Sequence, residues 1–246
     1  MNYNWNWSVF WDVGPDGVHT YFSTLIQGLY WTVGTSLLAW CLALLVGLIV
    51  GVLSTIGRGW VARLCAGYVE LFRNVPLLVQ MFLWYFVAPE VLPFGWGAAI
   101  KAMDPMWGAF WTAVVCLGLF TSSRIAVQIG AGIRSLPAGQ PMAGTALGLT
   151  RAQVYRYVLL PQTVRVIMPP LTSEALNLIK NSSIAFTIGL MEITGAARSM
   201  QEFTFQIFES FAAATVLYLV VNAVVVVLMR YVEKRLRVPG FMGQTR

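Results

Sequence analysis

The sequence predicts an all-α integral membrane protein of about five transmembrane helices, with a helical, punctuated loop between the third and fourth. Three observations carry that expectation. Of 246 residues, 58% are hydrophobic and only 11% charged, with a mean hydropathy of +0.69. A soluble domain carries about 25% charged residues, so this chain cannot cover a water-facing surface. Five stretches reach the roughly 20 apolar residues that a spanning helix needs, at about 28–56, 67–89, 107–131, 166–190 and 211–232. The segment AGTALGLTRAQVYRYVLLPQT (143–163) is polar, helix-prone and broken by one glycine.

Residues 1–25 precede the spans. Residues 1–24 hold no Lys or Arg, and Asp12 and Asp16 stand where a signal peptide would be basic. The first span is therefore expected to stay as an anchor, and its length permits tilt. Ala43, Gly47, Gly51 and Thr55 recur in it at every fourth position, a pattern that lets helices approach closely. Internal packing is preferred to a subunit interface as its use.

In the second span Glu70, Arg73 and Asn74 share a face. Glu70–Arg73 is read as an i,i+3 pair, with Pro76 loosening the helix after it. The third span carries Arg124 deep within it, after Ser122 and Ser123. The fourth shows Glu174, Asn177 and Asn181 on one stripe, beside Lys180 and followed by Ser182. Buried charge costs a few kcal/mol per residue on insertion scales, so such residues need a reason. A polar cavity is favoured for the stripe over helix–helix bonding. Pairing of Arg124 with Glu174 is the structural alternative to a ligand role.

The loop, about 139–161, reads as two short helices. Pro141 suits a first turn, and Gly148 supplies the left-handed residue that ends a helix. Thr150 with Gln153 has capping-box spacing, so a second helix starts there. Ala152, Tyr155 and Leu159 then share a face, and Pro161 disturbs the helix near its end. An apolar face flanked by arginines suggests docking into a groove of a cytoplasmic partner.

The sixteen basic residues sort by side. Arg58, Arg63, Arg134, Arg151, Arg156, Arg165, Arg230, Lys234, Arg235, Arg237 and Arg246 fall on one face. Only Lys101 and Arg198 fall on the other, and Arg73, Arg124 and Lys180 lie within spans. Eleven against two puts residues 234–246 in the cytoplasm and the N-terminus outside.

Several classes are excluded or disfavoured. The single histidine, His19, rules out histidine triads and multi-histidine metal sites. No metal site and no nucleic-acid partner are expected. Cys41, Cys65 and Cys116 are odd in number and far apart, and read as packing residues. No Walker motif occurs, so the chain is expected to bind no nucleotide itself.

The loop also resembles the EAA loop of ABC importer permeases. Ala143, Gly148 and Leu160–Pro161 match its pattern, while Met142 and Gly144 replace its acidic residue and second alanine. YVELFRNVPLLVQ (68–80), IRSLPAGQ (133–140), YRYVLLPQTVRVIMPPLTSEALNLIKNSSIA (155–185) and EKRLRVPG (233–240) are similar to the polar amino acid subfamily, and most to its glutamate/aspartate branch. Many relatives have Glu and Arg where this chain has Val127 and Gly130, and an aromatic residue at Arg124; the acidic-substrate branch has arginine there.

The resemblance implies the type-1 ABC permease domain over about 26–233, in the bacterial inner membrane. It also implies a second homologous permease, preferably a different chain, two ATPase subunits holding ATP and Mg, and an extracytoplasmic solute-binding protein. Ala143, Gly144, Gly148, Tyr155, Leu160 and Pro161 would couple to the ATPase. Arg124, with no acidic residue within two turns on its own helix, is expected to bind a substrate side-chain carboxylate, with Asn177, Lys180, Asn181 and Ser182 around it. An ion-coupled transporter or channel is the alternative, though five spans without a repeat argue against it. A membrane enzyme has no catalytic constellation to stand on.

Overall fold

Residue pattern and prolines decide how the chain divides into helices in a computed structural model, which describes residues 3–57 and 59–236. Arg58, Arg237, Arg246 and most of the expected tail 234–246 lie outside the described residues.

The first apolar run forms α1 (Tyr21–Ile56), begun by Thr20, whose hydroxyl caps the Ser23 amide. Its 36 residues span about 54 Å, well beyond a bilayer's hydrocarbon. Two shorter pieces follow where one continuous span was expected. These are α2 (Trp60–Asn74) and then α3 (Leu77–Phe82), a π-helical turn Leu83–Val87 and α4 (Ala88–Val91). The chain bends by 103° between α2 and the helix Leu77–Val91. Pro76 is the cause. It lacks the amide that would bond to Phe72 O, and it pushes Val75 out of helical geometry, to ψ 129°. The Gln80 amide donates instead to Phe72 O and Val75 O, both at 2.9 Å, and so stabilises the bend.

After α5 (Trp96–Lys101), Asp104 caps α6 (Pro105–Ser135). The loop region holds α7 (Gly139–Ala146) and α8 (Arg151–Gln153). A π-helical turn Val154–Leu159 runs on into α9 (Leu160–Asn181) and a 3-10 turn Ser182–Ile188. Then come α10 (Ile193–Thr204) and α11 (Ile207–Leu236).

By length and composition α1, α6 and α11 can each cross a membrane, and the bent pair makes a fourth if it is one span. α9 is not among them because Glu174, Asn177 and Lys180 interrupt its apolar run.

The core seam is α1 on α6, and it uses the small residues singled out above. A Cβ on Gly47 would sit 2.8 Å from Ile125 Cγ2, and one on Gly51 would sit 2.8 Å from Ile129 Cβ. Leu42 fills the space over Gly118. The spacing therefore serves internal packing. The contacts rise together along both helices, so α1 and α6 run parallel. Gly132 of α6 packs on Ile167 and Thr163 of α9, and Gln128 bonds to Glu174, so that pair is antiparallel.

At the opposite end, the N-terminal segment is pinned to the start of α11. Glu209 is fully buried and accepts the Tyr3 hydroxyl and the Asn6 amide. Glu192, also fully buried, caps α10 through the Gly195 amide at 3.0 Å and accepts the Tyr218 hydroxyl of α11 at 2.5 Å. Burial pushes its carboxyl above the usual range. The three cysteines are free; Cys65 and Cys116 are buried and Cys41 is exposed.

Candidate translocation site and coupling segment

Two places bring chemistry-bearing residues together. The first is the α6–α9 contact. Arg124 Nε lies 3.2 Å from Glu174 Oε2, and Gln128 Nε2 donates to Glu174 Oε1 at 3.1 Å. The Glu174 side chain is 10% exposed, that of Arg124 42%. The carboxylate is thus held inside while the guanidinium reaches outward, over the Phe120 ring at 5.8 Å. Arg124 is therefore not the unpartnered cation that its own helix suggests. Its partner comes from the neighbouring helix, as the structural alternative required. Gln128 escaped the sequence reading, although it lies four residues after Arg124 on the same face.

The other expected pocket residues separate. Asn177 and Asn181 are half-buried and continue the Glu174 stripe along α9. Seven residues from 174 to 181 rise about 10 Å. Ser182, expected beside Asn181, is fully buried, and its hydroxyl donates to Ile179 O at 2.7 Å. It completes a helix end and does not face a cavity. Lys180 is exposed, and Glu174 does not offset it, being occupied by Arg124 and Gln128. The Glu70–Arg73 pair does not form among the described residues; both side chains are exposed on α2.

The second place is residues 139–161. Gly148 has φ +81°, the left-handed conformation that only glycine adopts without strain. Leu149 N donates to Gly144 O at 3.1 Å, and Gly148 N to Thr145 O at 3.0 Å. Those two bonds make a Schellman cap. The capping box at Thr150 and Gln153 is complete. Gly144 is buried, and a Cβ there would stand 3.1 Å from Val154 Cγ2. Its departure from alanine is thus a close contact between the two short helices.

The second helix does not stop at Pro161. Pro161 enters the first turn of α9 directly after the π-helical turn. Widening the helix there removes the clash with the carbonyl four residues back. The wide turn also shifts the face. Val154 and Leu159, five apart, are buried at 4% and 5%, while Ala152 is exposed. The apolar face therefore packs inward, against Ile133, Ile167 and Met168. The apolar groups left facing outward are Met142, Leu147 and Tyr157. Tyr155 OH bonds to Thr55 Oγ1 at 3.2 Å, and Arg151 Nη2 to Ile56 O at 3.3 Å, which ties the segment to the end of α1.

The site region is thus an apolar helical bundle with two short helices between α6 and α9. The family of binding-protein-dependent transport system inner membrane components matches residues 43–238. The chain belongs to this family. It is 46% identical over 244 residues to the glutamate/aspartate import permease protein GltJ of Escherichia coli K12, covering 99% of both chains. It is 31% identical to the glutamine transport system permease protein GlnP of the same organism, covering 95% and 98%. Among solved structures it is similar to an amino acid ABC transporter crystallised with histidines. That match has a TM-score of 0.72 and 30% identity, and covers 87% and 95% of the two chains. An inward-facing methionine transporter, MetNI, shares the fold with a TM-score of 0.73 at 17% identity, covering 88% and 98%. The chain is thus a multi-pass membrane permease component of the ABC importer type, and the expectation from the sequence holds at that level.

Proposed function

We propose that this permease imports acidic amino acids, glutamate and aspartate, by ATP-driven alternating access. The observation that carries the reading is the 46% identity across 99% of the chain to a glutamate/aspartate import permease. An arginine presented from the α6–α9 contact supports it, because a second carboxylate in a low-dielectric path needs a fixed positive partner.

The binding step is an exchange of partners. In the substrate-free chain Glu174 neutralises Arg124. An incoming side-chain carboxylate takes the outward guanidinium edge, while Gln128 keeps Glu174 in place. Asn177 and Asn181 line the path above. Residues 139–161 seat in an ATPase subunit through Met142, Leu147 and Tyr157, and the ties from Tyr155 and Arg151 carry ATPase closure to α1. ATP and Mg belong to two partner ATPases. A different, homologous permease completes the pathway, and an extracytoplasmic binding protein delivers solute. The chain lies in the bacterial inner membrane, N-terminus outside and C-terminus in the cytoplasm.

The test is uptake in proteoliposomes holding the permeases, ATPases and binding protein. ATP-dependent glutamate and aspartate uptake is expected. Uptake that persists without ATP, or that ignores the side-chain carboxylate, sinks the reading.

A further inference from the structure

A cavity of about 570 Å³ lies where α6 ends, between the coupling segment and the last turn of α1. Arg134 and Arg151 both line it, with Tyr155 beside them. No acidic residue lines it, and neither arginine is in an ion pair among the described residues. Arg134 folds back along its own helix. A Cβ on Gly130 would sit 3.2 Å from its Nη2 and 3.2 Å from Ser54 Oγ. Arg151 uses one donor on Ile56 O and keeps the rest.

Two like charges lining one hollow repel, and an anion between them would relieve that repulsion. The remaining walls are mostly apolar, from Ile133, Leu136, Leu149 and Leu159, with Thr55 and Thr145 among them. The hollow also sits at the ends of two spanning helices, which is the depth of lipid headgroups. The face that the coupling segment turns outward is the other one, carrying Met142 and Leu147, 68% and 82% exposed.

We propose that this cavity binds a phosphate anion, and that its source is the headgroup of an anionic membrane lipid. The arginines take the phosphate and the apolar wall takes the first carbons of the glycerol and acyl chains. A free phosphate would satisfy only the charged half. A bound lipid would join the end of α6 to the start of the second coupling helix and so stiffen the segment that carries motion into the bundle. The inference goes beyond the transport reading and does not depend on the substrate.

The experiment uses the full chain purified with its co-purifying subunits, delipidated, and offered phosphatidylglycerol or phosphatidylcholine of identical chains. Native mass spectrometry counts retained lipid. A roughly thirtyfold preference for phosphatidylglycerol is expected from two basic contacts. Arg134→Gln with Arg151→Gln should abolish it, and the two Lys variants should restore part of it. Should the double variant fail to fold, each single Gln variant is expected to weaken the preference alone. Equal retention of both lipids, or a preference untouched by the Gln variants, overturns the site. Displacement by millimolar inorganic phosphate overturns the lipid source in favour of a free anion. Loss of the ATPase from the Gln variants with lipid preference intact overturns the site too, and assigns the arginines to ATPase carboxylates.

Discussion

Arg124 shows what one residue's own helix can and cannot reveal. Its arginine identity and depth were legible in the sequence; its partner was not, because Glu174 lies 50 positions away on an antiparallel helix. If Arg124 serves the substrate carboxylate, Arg124→Gln should abolish glutamate uptake in the assembled transporter while glutamine uptake survives or rises. Equal loss of both, or failed assembly, would mark a structural ion pair. Glu174→Gln separates the two roles further. It frees Arg124, so glutamate should bind more tightly but leave more slowly, visible as a lower KM with a lower maximal rate. Burial makes a second residue testable. Glu192 has its carboxyl pKa raised, chiefly by desolvation, with the Tyr218 bond opposing. A raised folded pKa means that the stabilising proton is fully held below the unfolded value, about 4.3, and lost as pH rises through the folded one. Thermal melting of the wild type should therefore decline as pH climbs from about 4 toward neutral. Glu192→Gln, which keeps an acceptor for the Gly195 amide, should flatten that slope. An unchanged slope would put the titrating group elsewhere.

Elements differ in how much of themselves they write into local sequence. Gly148, and the Thr150–Gln153 capping box, are short-range devices, and both stand where spacing put them. The broken second span and the π-helical turn before Pro161 were not legible. Each depends on how a proline's missing donor is resolved, by Gln80 in one place and by a widened helix in the other. The widened turn also explains why the loop's apolar face packs inward, since it moves burial from Ala152 to Val154. Gly148→Val should uncouple ATP hydrolysis from uptake, because a β-branched residue resists φ +81° and would swing α8 out of line. The complex should still assemble in the membrane. Normal solute-stimulated ATPase in that variant would remove the turn from the coupling route. Gly51→Val is a matched packing test on the α1–α6 seam. Its Cβ would meet Ile129 Cβ at 2.8 Å and Ala126 O at 2.9 Å, so about 1–3 kcal/mol of stability should be lost. An unchanged melting temperature would show that the seam opens freely.

The whole molecule turns on the direction of its crossings. α1 and α6 pack in parallel, with Leu42 over Gly118, Gly47 on Ile125 and Gly51 on Ile129. Two parallel crossings require the chain between them to return. Only α2 to α5 lie in that interval, so the parallel packing favours one broken span at Pro76 over a loop re-entering the same face. A second contact agrees. The coupling segment, which follows α6, touches Thr55 and Ile56 at the end of α1. α9 returns antiparallel to α6. The start of α11 holds Tyr3 through Glu209, while its far end, at Met229 and Leu236, packs with Ile133 and Leu159. Counting the bent pair and α9 as crossings makes their number odd, and residues 3 and 236 lie at opposite ends of the bundle. The eleven-to-two distribution of basic residues predicts which end is inside, with the N-terminal end outside. Single cysteines at positions 5 and 244, in a chain freed of Cys41, Cys65 and Cys116, should react with an impermeant thiol reagent from outside at 5 and only after permeabilisation at 244. Labelling of both from one side would mean an even number of crossings, and would overturn the parallel packing together with the broken span.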